Sequence, residues 1–428
     1  MLIGLFVALL ALIFLGVPVV VAIGAVALGG ILGLPELAPV EFPRKMFAAV
    51  DSFSLLALPY FILAGELMVR GGMSRRLVEF AETLVGHLRG GLGHATILAN
   101  MIFANVTGSS TAATSAIGSL MAPDMRARGY KPGFIASLTA TSGVIGAIIP
   151  PSMVMVVYGA MAGVSIGGLF LAGIIPGLVI TALLMLVVYL HSFHPSFPEL
   201  RVTTGSFNLR IMLDTLPRVW AAVLAPVIIL GGIMAGVFTA TEAGVVACFY
   251  ALVISMFVYR SVTLRDLPRI LLNAAITTTV VLAIISMAGA LGWLLTYLHF
   301  TDTVGQWMLG LSDKSWVVLL VLLGTMLVLT MFIESLAVLI ILTPLIVKIG
   351  QTFGLDPIYL GMLVVLATQI GGTTPPVAVV LFVATSISGG TYDQTLRYCW
   401  PFIAALAFAL ILVFLVPSLA TFIPHRVM

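Results

Sequence analysis

Long apolar runs separated by short polar stretches organise this chain. Residues 2–34 form the first run, longer than the roughly 20 residues that cross a bilayer, so it is tilted or bent, with Gly16-Val-Pro18 as the place for the bend. A polar connection at 36–51 carries Arg44 and Lys45 and leads to a second run at 53–69. At 70–90 the pattern changes: Leu77, Phe80, Leu84 and Val85 recur at helical spacing among Arg70, Arg75, Arg76, Glu79, Glu82 and Arg89. That spacing predicts an amphipathic arm suited to the membrane interface. Spans are expected at 133–161, 169–190, 220–237, 244–259, 271–298, 357–388 and 400–419, with a second amphipathic arm at 300–314. The longest polar connection, 191–218, holds two histidines, three prolines and three arginines and links two halves.

Two runs of about thirty residues, 92–122 and 316–348, are interrupted near their middles, the first by Asn105-Val-Thr-Gly-Ser-Ser-Thr-Ala-Ala-Thr-Ser115 and the second by Glu334-Ser335. Arms of about 13 residues reach only about 20 Å, against a hydrocarbon core of about 30 Å. Each run therefore reads as a re-entrant helical hairpin with a polar tip near the midplane; the other reading is one long span with a Ser/Thr-rich packing face. The next span carries Gly146-Ala-Ile-Ile-Pro-Pro-Ser152, and Gly371-Gly-Thr-Thr-Pro-Pro376 repeats the pattern 225 residues later. Consecutive prolines remove two donors and break a helix, and in hydrocarbon a break survives only where it faces protein or a wet cavity. At the same offset Ser110 meets Ser335 and Pro132 meets Pro357. Two matched discontinuous helices point to a transporter's binding site.

Charge orients the halves. Arg70, Arg75, Arg76, Arg89, Arg126, Arg128 and Lys131 surround the first hairpin, whereas Asp302, Asp313, Lys314, Lys348 and Asp356 surround the second. Positive residues mark the cytoplasmic side, so the hairpins enter from opposite faces. The predicted fold is an all-α polytopic membrane protein of two inverted repeats, 1–195 and 219–428 joined by 196–218. Each repeat has a re-entrant hairpin (92–122, 316–348) and a discontinuous, broken transmembrane helix (133–161, 357–388).

Composition agrees. Of 428 residues 61% are hydrophobic and 8% charged, with a mean hydropathy of +1.22, where a soluble domain carries roughly 25% charged residues. Short alternating strands, which a barrel needs, are absent from the pattern. The first run lacks a basic n-region and a small-residue cleavage site, so it is read as a retained span. A net charge of +3 is too small to imply nucleic acid. Cys248 and Cys399 read as packing residues, and His191-x-x-His194 as a solvated pair rather than a metal site. No HExxH, intramembrane aspartate pair or Ser–His constellation supports an enzyme. A channel remains the rival among membrane proteins.

The chain resembles the large membrane subunit of TRAP (tripartite ATP-independent periplasmic) transporters, within the ion transporter superfamily. The resemblance covers nearly the whole length and rests on Leu56-Ala-Leu-Pro-Tyr-Phe-Ile-Leu-Ala-Gly-Glu-Leu-Met68, the tip from Gly108 to Ser115, Ile149-Pro-Pro-Ser152, Phe238-Thr-Ala-Thr-Glu-Ala243 and Gly371-Gly-Thr-Thr-Pro-Pro376. It implies sodium-driven uptake across the bacterial inner membrane of an organic acid handed over by a soluble periplasmic binding protein. It also implies a small membrane subunit of about four helices, expected as a separate chain, and an elevator in which a transport domain slides against a scaffold. A stand-alone sodium/dicarboxylate symporter of the same superfamily is the alternative. Sialic acid, C4-dicarboxylates, keto acids and ectoine-like solutes are all open.

Sodium takes several oxygen ligands, and unwound backbone carbonyls supply them without burying a full charge. Two pseudo-symmetric sodium sites are expected, one from Thr107, Gly108, Ser110, Gly146 and Ile149, the other from Glu334, Ser335, Gly371, Gly372 and Thr373. An anionic substrate would lie between them on Asn105, Ser109, Ser110, Thr111, Ser152, Thr373 and Thr374 and on helix N-termini. For each hydroxyl the alternative is a hydrogen bond back to its own helix. A mid-membrane carboxylate is functional by default: Glu334 can ligate sodium, carry a proton, pair with a base or stand protonated. Glu66 and Glu242 are lesser candidates.

Overall fold

The computed structural model describes residues 2–203, 209–312 and 314–428, and no strand occurs among them. The connection assigned to 196–218 and the arm assigned to 300–314 thus lie partly outside the described residues, at 204–208 and Asp313. The first apolar run is two helices rather than one bent span, α1 (Leu2–Phe14) and α2 (Val19–Leu32). Gly16 turns the chain at φ +81° and Pro18 withholds a donor, so the helical ladder stops between them. The polar connection at 36–51 contains a helix as well, α3 (Glu41–Val50). Phe42, Met46 and Val50, spaced by four, pack on the core while Glu41 holds Arg44 at 3.1 Å on the outer face.

A 3-10 turn at Phe53–Leu56 leads into α4 (Ala57–Arg70), followed by α5 (Met73–Val85), α6 (Gly91–Thr107), α7 (Ser110–Ala127), α8 (Pro132–Gly143), α9 (Met153–Ala162) and α10 (Ile166–His191). Past the connection come α11 (Leu209–Met234), α12 (Ala240–Val253) with a π turn at Ile254–Val258, and α13 (Leu267–Tyr297). Then follow α14 (Phe300–Leu311), α15 (Ser315–Thr330), α16 (Ser335–Thr352), α17 (Pro357–Gly371), α18 (Val379–Ser388) and α19 (Tyr392–Leu415). Six helical segments among the described residues are long and apolar enough to cross a membrane: Phe53–Arg70, Ile166–His191, Ala240–Val258, Leu267–Tyr297, Ser335–Thr352 and Tyr392–Leu415. The 10-residue helices α9 and α18 span only about 15 Å each and cannot cross alone.

The centre of the molecule is α8 and α17. Every residue of α8 from Gly133 to Gly143 is buried, and every residue of α17 from Tyr359 to Gly371, as expected for helices without a polar face. The hydroxyls on α8 bond back to carbonyls, Ser137 to Gly133 at 2.8 Å, Thr139 to Ile135 at 2.7 Å and Thr141 to Ser137 at 2.7 Å, so buried polarity costs little there. Around this centre pack α7, α18 and α19 on α8, and α10, α15 and α16 on α17, while α4, α12 and α13 form a group beside them with α2 and α3.

Two further segments differ from expectation. The apolar stripe of α5 is covered by protein, against α6, α7 and α11, rather than left to lipid; Met73, Leu77, Val78 and Ala81 are buried. The first part of the connection after α10, residues 192–201, is held by aromatic packing rather than loosely solvated. His191 stacks on Phe402 at 5.9 Å and Phe197 lies 5.5 Å from Phe134. Lys131 donates to the Ser196 carbonyl at 2.6 Å over the Phe197 ring, and Gly90 N–H donates to the Leu200 carbonyl at 2.6 Å. His191 is thus a half-buried stacking residue, and His194 alone of the pair is exposed.

Candidate functional site

The first hairpin turns at Gly108, held at φ +60°, a conformation that a side chain strains. Ser109 is extended and caps α7, its oxygen accepting from Ala112 N–H at 3.4 Å. The second hairpin turns through Met331-Phe332-Ile333, and Glu334 caps α16 by accepting from Ala337 N–H at 3.1 Å. Ser109 and Glu334 stand at the offset of 225 and do the same work, which gives Glu334 a capping role that the pattern alone did not single out. Each tip is tied to its broken helix by one main-chain bond: Met153 N–H donates to the Gly108 carbonyl at 3.1 Å, and Val377 N–H to the Met331 carbonyl at 3.2 Å.

The breaks are as expected in place and richer in detail. After α8 a 3-10 turn, Val144–Ala147, precedes the prolines. Ser152 then donates to the Ala147 carbonyl at 2.5 Å and caps α9 through Met155 N–H. After α17, Thr373 and Thr374 donate to the carbonyls of Gln369 and Ile370 at 2.9 and 2.7 Å. Both Pro–Pro bonds, 150–151 and 375–376, are cis. Gly146 and Gly371 let the tips approach: a Cβ on Gly146 would stand 3.0 Å from the Ser109 carbonyl oxygen, and one on Gly371 would stand 2.6 Å from that of Leu327.

Both tips and both breaks wall one cavity of about 100 Å³. Gly108, Ser109, Ser110, Thr111, Glu334, Ser335 and Gly372 line it. Gly146, Ile149, Ser152, Gly371, Thr373 and Thr374 stand behind this wall, the three hydroxyls among them committed to carbonyls. The side chain of Asn105 lies outside the described residues. Thr107, 6% exposed, has a buried hydroxyl oxygen with no hydrogen-bond partner among the described residues. It borders a second cavity of about 370 Å³ on the α4 side, with Glu66, Ser115 and Thr277. Glu242 is remote from both: exposed at the start of α12, it forms a capping box with Thr239, accepting from its N–H at 2.8 Å and its hydroxyl at 2.9 Å.

One cavity residue escaped the reading of the sequence. Gln369, on α17, accepts the Ser110 hydroxyl at 2.8 Å and joins the first tip to the second broken helix. The neighbouring carbonyl, Thr368, accepts from Ser335 of the second tip at 3.0 Å. The available signal was an amide alone in the apolar run from Leu360 to Ile370.

Around the cavity the starts of α7, α9, α16 and α18 meet the ends of α15, α17 and the turn after α8, and the α6 end lies behind Gly108. Helix starts present N–H groups and partial positive charge, helix ends carbonyls and partial negative charge. The arrangement therefore offers an anion and a cation separate partners within one small volume. Among the described residues no group of three or more His, Cys, Asp or Glu is placed to hold a metal, and the cavity wall offers hydroxyl and carbonyl oxygens and the Glu334 carboxylate.

The family described as "Tripartite ATP-independent periplasmic transporter, DctM component" matches residues 6–419. The chain is 37% identical over 381 residues to a C4-dicarboxylate TRAP transporter large permease protein of Pseudomonas aeruginosa, covering 89% of this chain and 88% of that one. It is 35% identical over 417 residues to a sialic acid TRAP transporter large permease protein of Vibrio cholerae, covering 97% and 96%. It is 37% identical over 376 residues to a 2,3-diketo-L-gulonate TRAP transporter large permease protein of Escherichia coli, covering 88% of each.

Proposed function

The chain belongs to the DctM family of tripartite ATP-independent periplasmic transporters, as a multi-pass inner-membrane permease, and from that premise we propose that it carries a small organic acid inward, driven by sodium. The observation that carries this reading is the meeting of helix starts and helix ends around one cavity between two polar tips. A carboxylate is stabilised by the N-termini of α7, α9, α16 and α18, each worth roughly half a positive charge. Sodium is matched to the carbonyls left at the helix ends. The unpartnered buried hydroxyl of Thr107 supports an oxygen-seeking occupant beside the first tip.

In this reading Thr107, Gly108 and Ser110, with carbonyls from Gly146 and Ile149 beneath them, take one sodium. Glu334, Ser335, Gly371, Gly372 and Thr373 take the other. Ser109, Ser110 and Thr111 face the acid, and Ser152, Thr373 and Thr374 shape the breaks, since their hydroxyl hydrogens are already donated. The two halves are inverted repeats, a reading that rests on the offset of 225 and on the charge asymmetry around the hairpins. The hairpins with α8, α9, α17 and α18 form the moving part, and α2, α3, α4, α12 and α13 the fixed part. The partners are a small membrane subunit and a periplasmic binding protein. C4-dicarboxylates, sialic acid and 2,3-diketo-L-gulonate, which relatives carry by name, set the substrate class.

Co-reconstitution of the chain with its small subunit in proteoliposomes tests the whole proposal. Radiolabelled acid bound to the binding protein is expected to accumulate inside only under an inward sodium gradient. Accumulation of free acid without binding protein would mark a stand-alone symporter instead, and accumulation indifferent to sodium would remove the coupling.

A further inference from the structure

At the cavity the two halves differ in several side chains, and one difference places an amide where the other half is apolar. Gln369 stands where the first half has Val144. Both tips bond to this turn of α17, Ser110 through the Gln369 side chain and Ser335 through the Thr368 carbonyl. Gln369 is 6% exposed, and its exposure is to the cavity it lines. A hydroxyl has one hydrogen, and Ser110 gives it to Gln369 Oε1 at 2.8 Å. Two consequences follow from the donor inventory. The Ser110 oxygen is left as an acceptor, the form that a cation needs. The amide is held by its oxygen, and its Nε2 keeps two N–H donors for which no described residue supplies an acceptor. A donor pair without a protein acceptor, on a residue that lines a cavity, is a place for an acceptor from outside the protein.

We propose that Gln369 is a substrate-binding residue, donating from Nε2 to the carboxylate of the transported acid, and that its bond with Ser110 couples the two ligands. One hydrogen bond orients the amide toward the anion and the hydroxyl oxygen toward sodium. Ser110 is then a positioning residue for the anion and a ligand for the cation. The second half decides how the acid is held, because the first half has only an apolar side chain at the matching place. This rests on the reading of the chain as a sodium-coupled carrier of an organic acid.

Two variants separate the roles. Gln369→Glu keeps an oxygen that accepts from Ser110 but replaces the N–H donors with a second acceptor. Gln369→Met keeps the length and removes both functions. In the full three-component proteoliposome system, with radiolabelled succinate and sialic acid as probes, Gln369→Glu is expected to raise the KM for the accumulated acid about tenfold or more. The sodium concentration giving half-maximal uptake should stay at or below the wild-type value. Gln369→Met is expected to raise both. Thermal melts with sodium or potassium chloride, without acid, supply the second readout: stabilisation specific to sodium should persist in Gln369→Glu and shrink in Gln369→Met. A wild-type KM in Gln369→Glu overturns the proposal, as does a Gln369→Met protein that melts earlier yet keeps both half-saturation values. Wild-type protein that takes up none of succinate, sialic acid, 2,3-diketo-L-gulonate, pyruvate and ectoine under a sodium gradient overturns the functional reading itself, and this inference with it.

Discussion

Glu82 and Glu334 are both carboxylates in a very apolar chain, and their surroundings give them different tasks. Glu334 caps a helix beside the cavity. Glu82 lies half-buried on α5, where burial pushes its carboxyl up, Arg128 pulls it back, and Asp124 and Glu79 push it up again. The net shift is upward, so the folded state favours the protonated form. Stability from this group is complete below the unfolded carboxylate range and is lost as pH rises through the folded value. Glu82→Gln should therefore stabilise the protein relative to wild type at about pH 8, with the gain fading toward about pH 4. Melts of detergent-purified protein check this, and a difference independent of pH would refute it. Two glycines give opposite expectations. Gly108→Ala forces a Cβ into a left-handed turn 2.6 Å from the Pro151 carbonyl oxygen and should cost about 1–3 kcal/mol. Gly324, inside α15 with open space around it, should gain up to about 1 kcal/mol as alanine. Equal effects at the two positions would show that neither backbone conformation nor space decides.

Among elements, the tips matter most, because each is at once a turn, a helix cap and part of the cavity wall. Ser109→Ala removes the α7 cap and should cost about 1 kcal/mol of stability. With Ser110→Ala added, the sodium dependence of uptake should weaken more than the melting temperature falls, since Ser110 bonds across the cavity rather than within its own helix. Unchanged sodium activation in the double variant would take this tip out of the ion site. The other elements were legible to different degrees. The hairpins and breaks are readable because Gly, Pro and Ser interrupt otherwise uniform hydrophobicity. Helix α3 is not, because ten residues with three charges read as a loop until Phe42, Met46 and Val50 find the core. Ser109 and Glu334 are visible as polar tips, but their matched capping follows from helix starts that only coordinates locate.

For the whole molecule, the arms bear on motion. Lys348 at the end of α16 is ion-paired with Asp302 of α14, and α5 packs on α6 and α7. Each arm thus touches the hairpin that follows it. If the hairpins and broken helices slide together while the arms stay with the fixed part, these contacts must part in each cycle. Exposed pairs such as Asp302–Lys348 are worth only about 0–1 kcal/mol and allow that. Single cysteines at Ser110 and Ser335 should then change the face from which a membrane-impermeant reagent labels them, depending on sodium and acid. Labelling confined to one face throughout turnover would replace sliding with rocking.

By itself the sequence determined the class of the molecule, the positions of two tips and two breaks that stand 225 residues apart, and the balance of charge around them. These are local properties: hydrophobicity, helix-breaking residues and charge act where they stand in the chain. Only the tertiary structure decided which of those residues share a cavity, that α8 and α17 form its buried spine, and that Gln369 meets Ser110 across 259 residues. A hydroxyl on a membrane helix can bond its own backbone or a distant partner at nearly equal energy. Which it does is settled by packing: Thr373 and Thr374 turn back to their own helix while Ser110 reaches across.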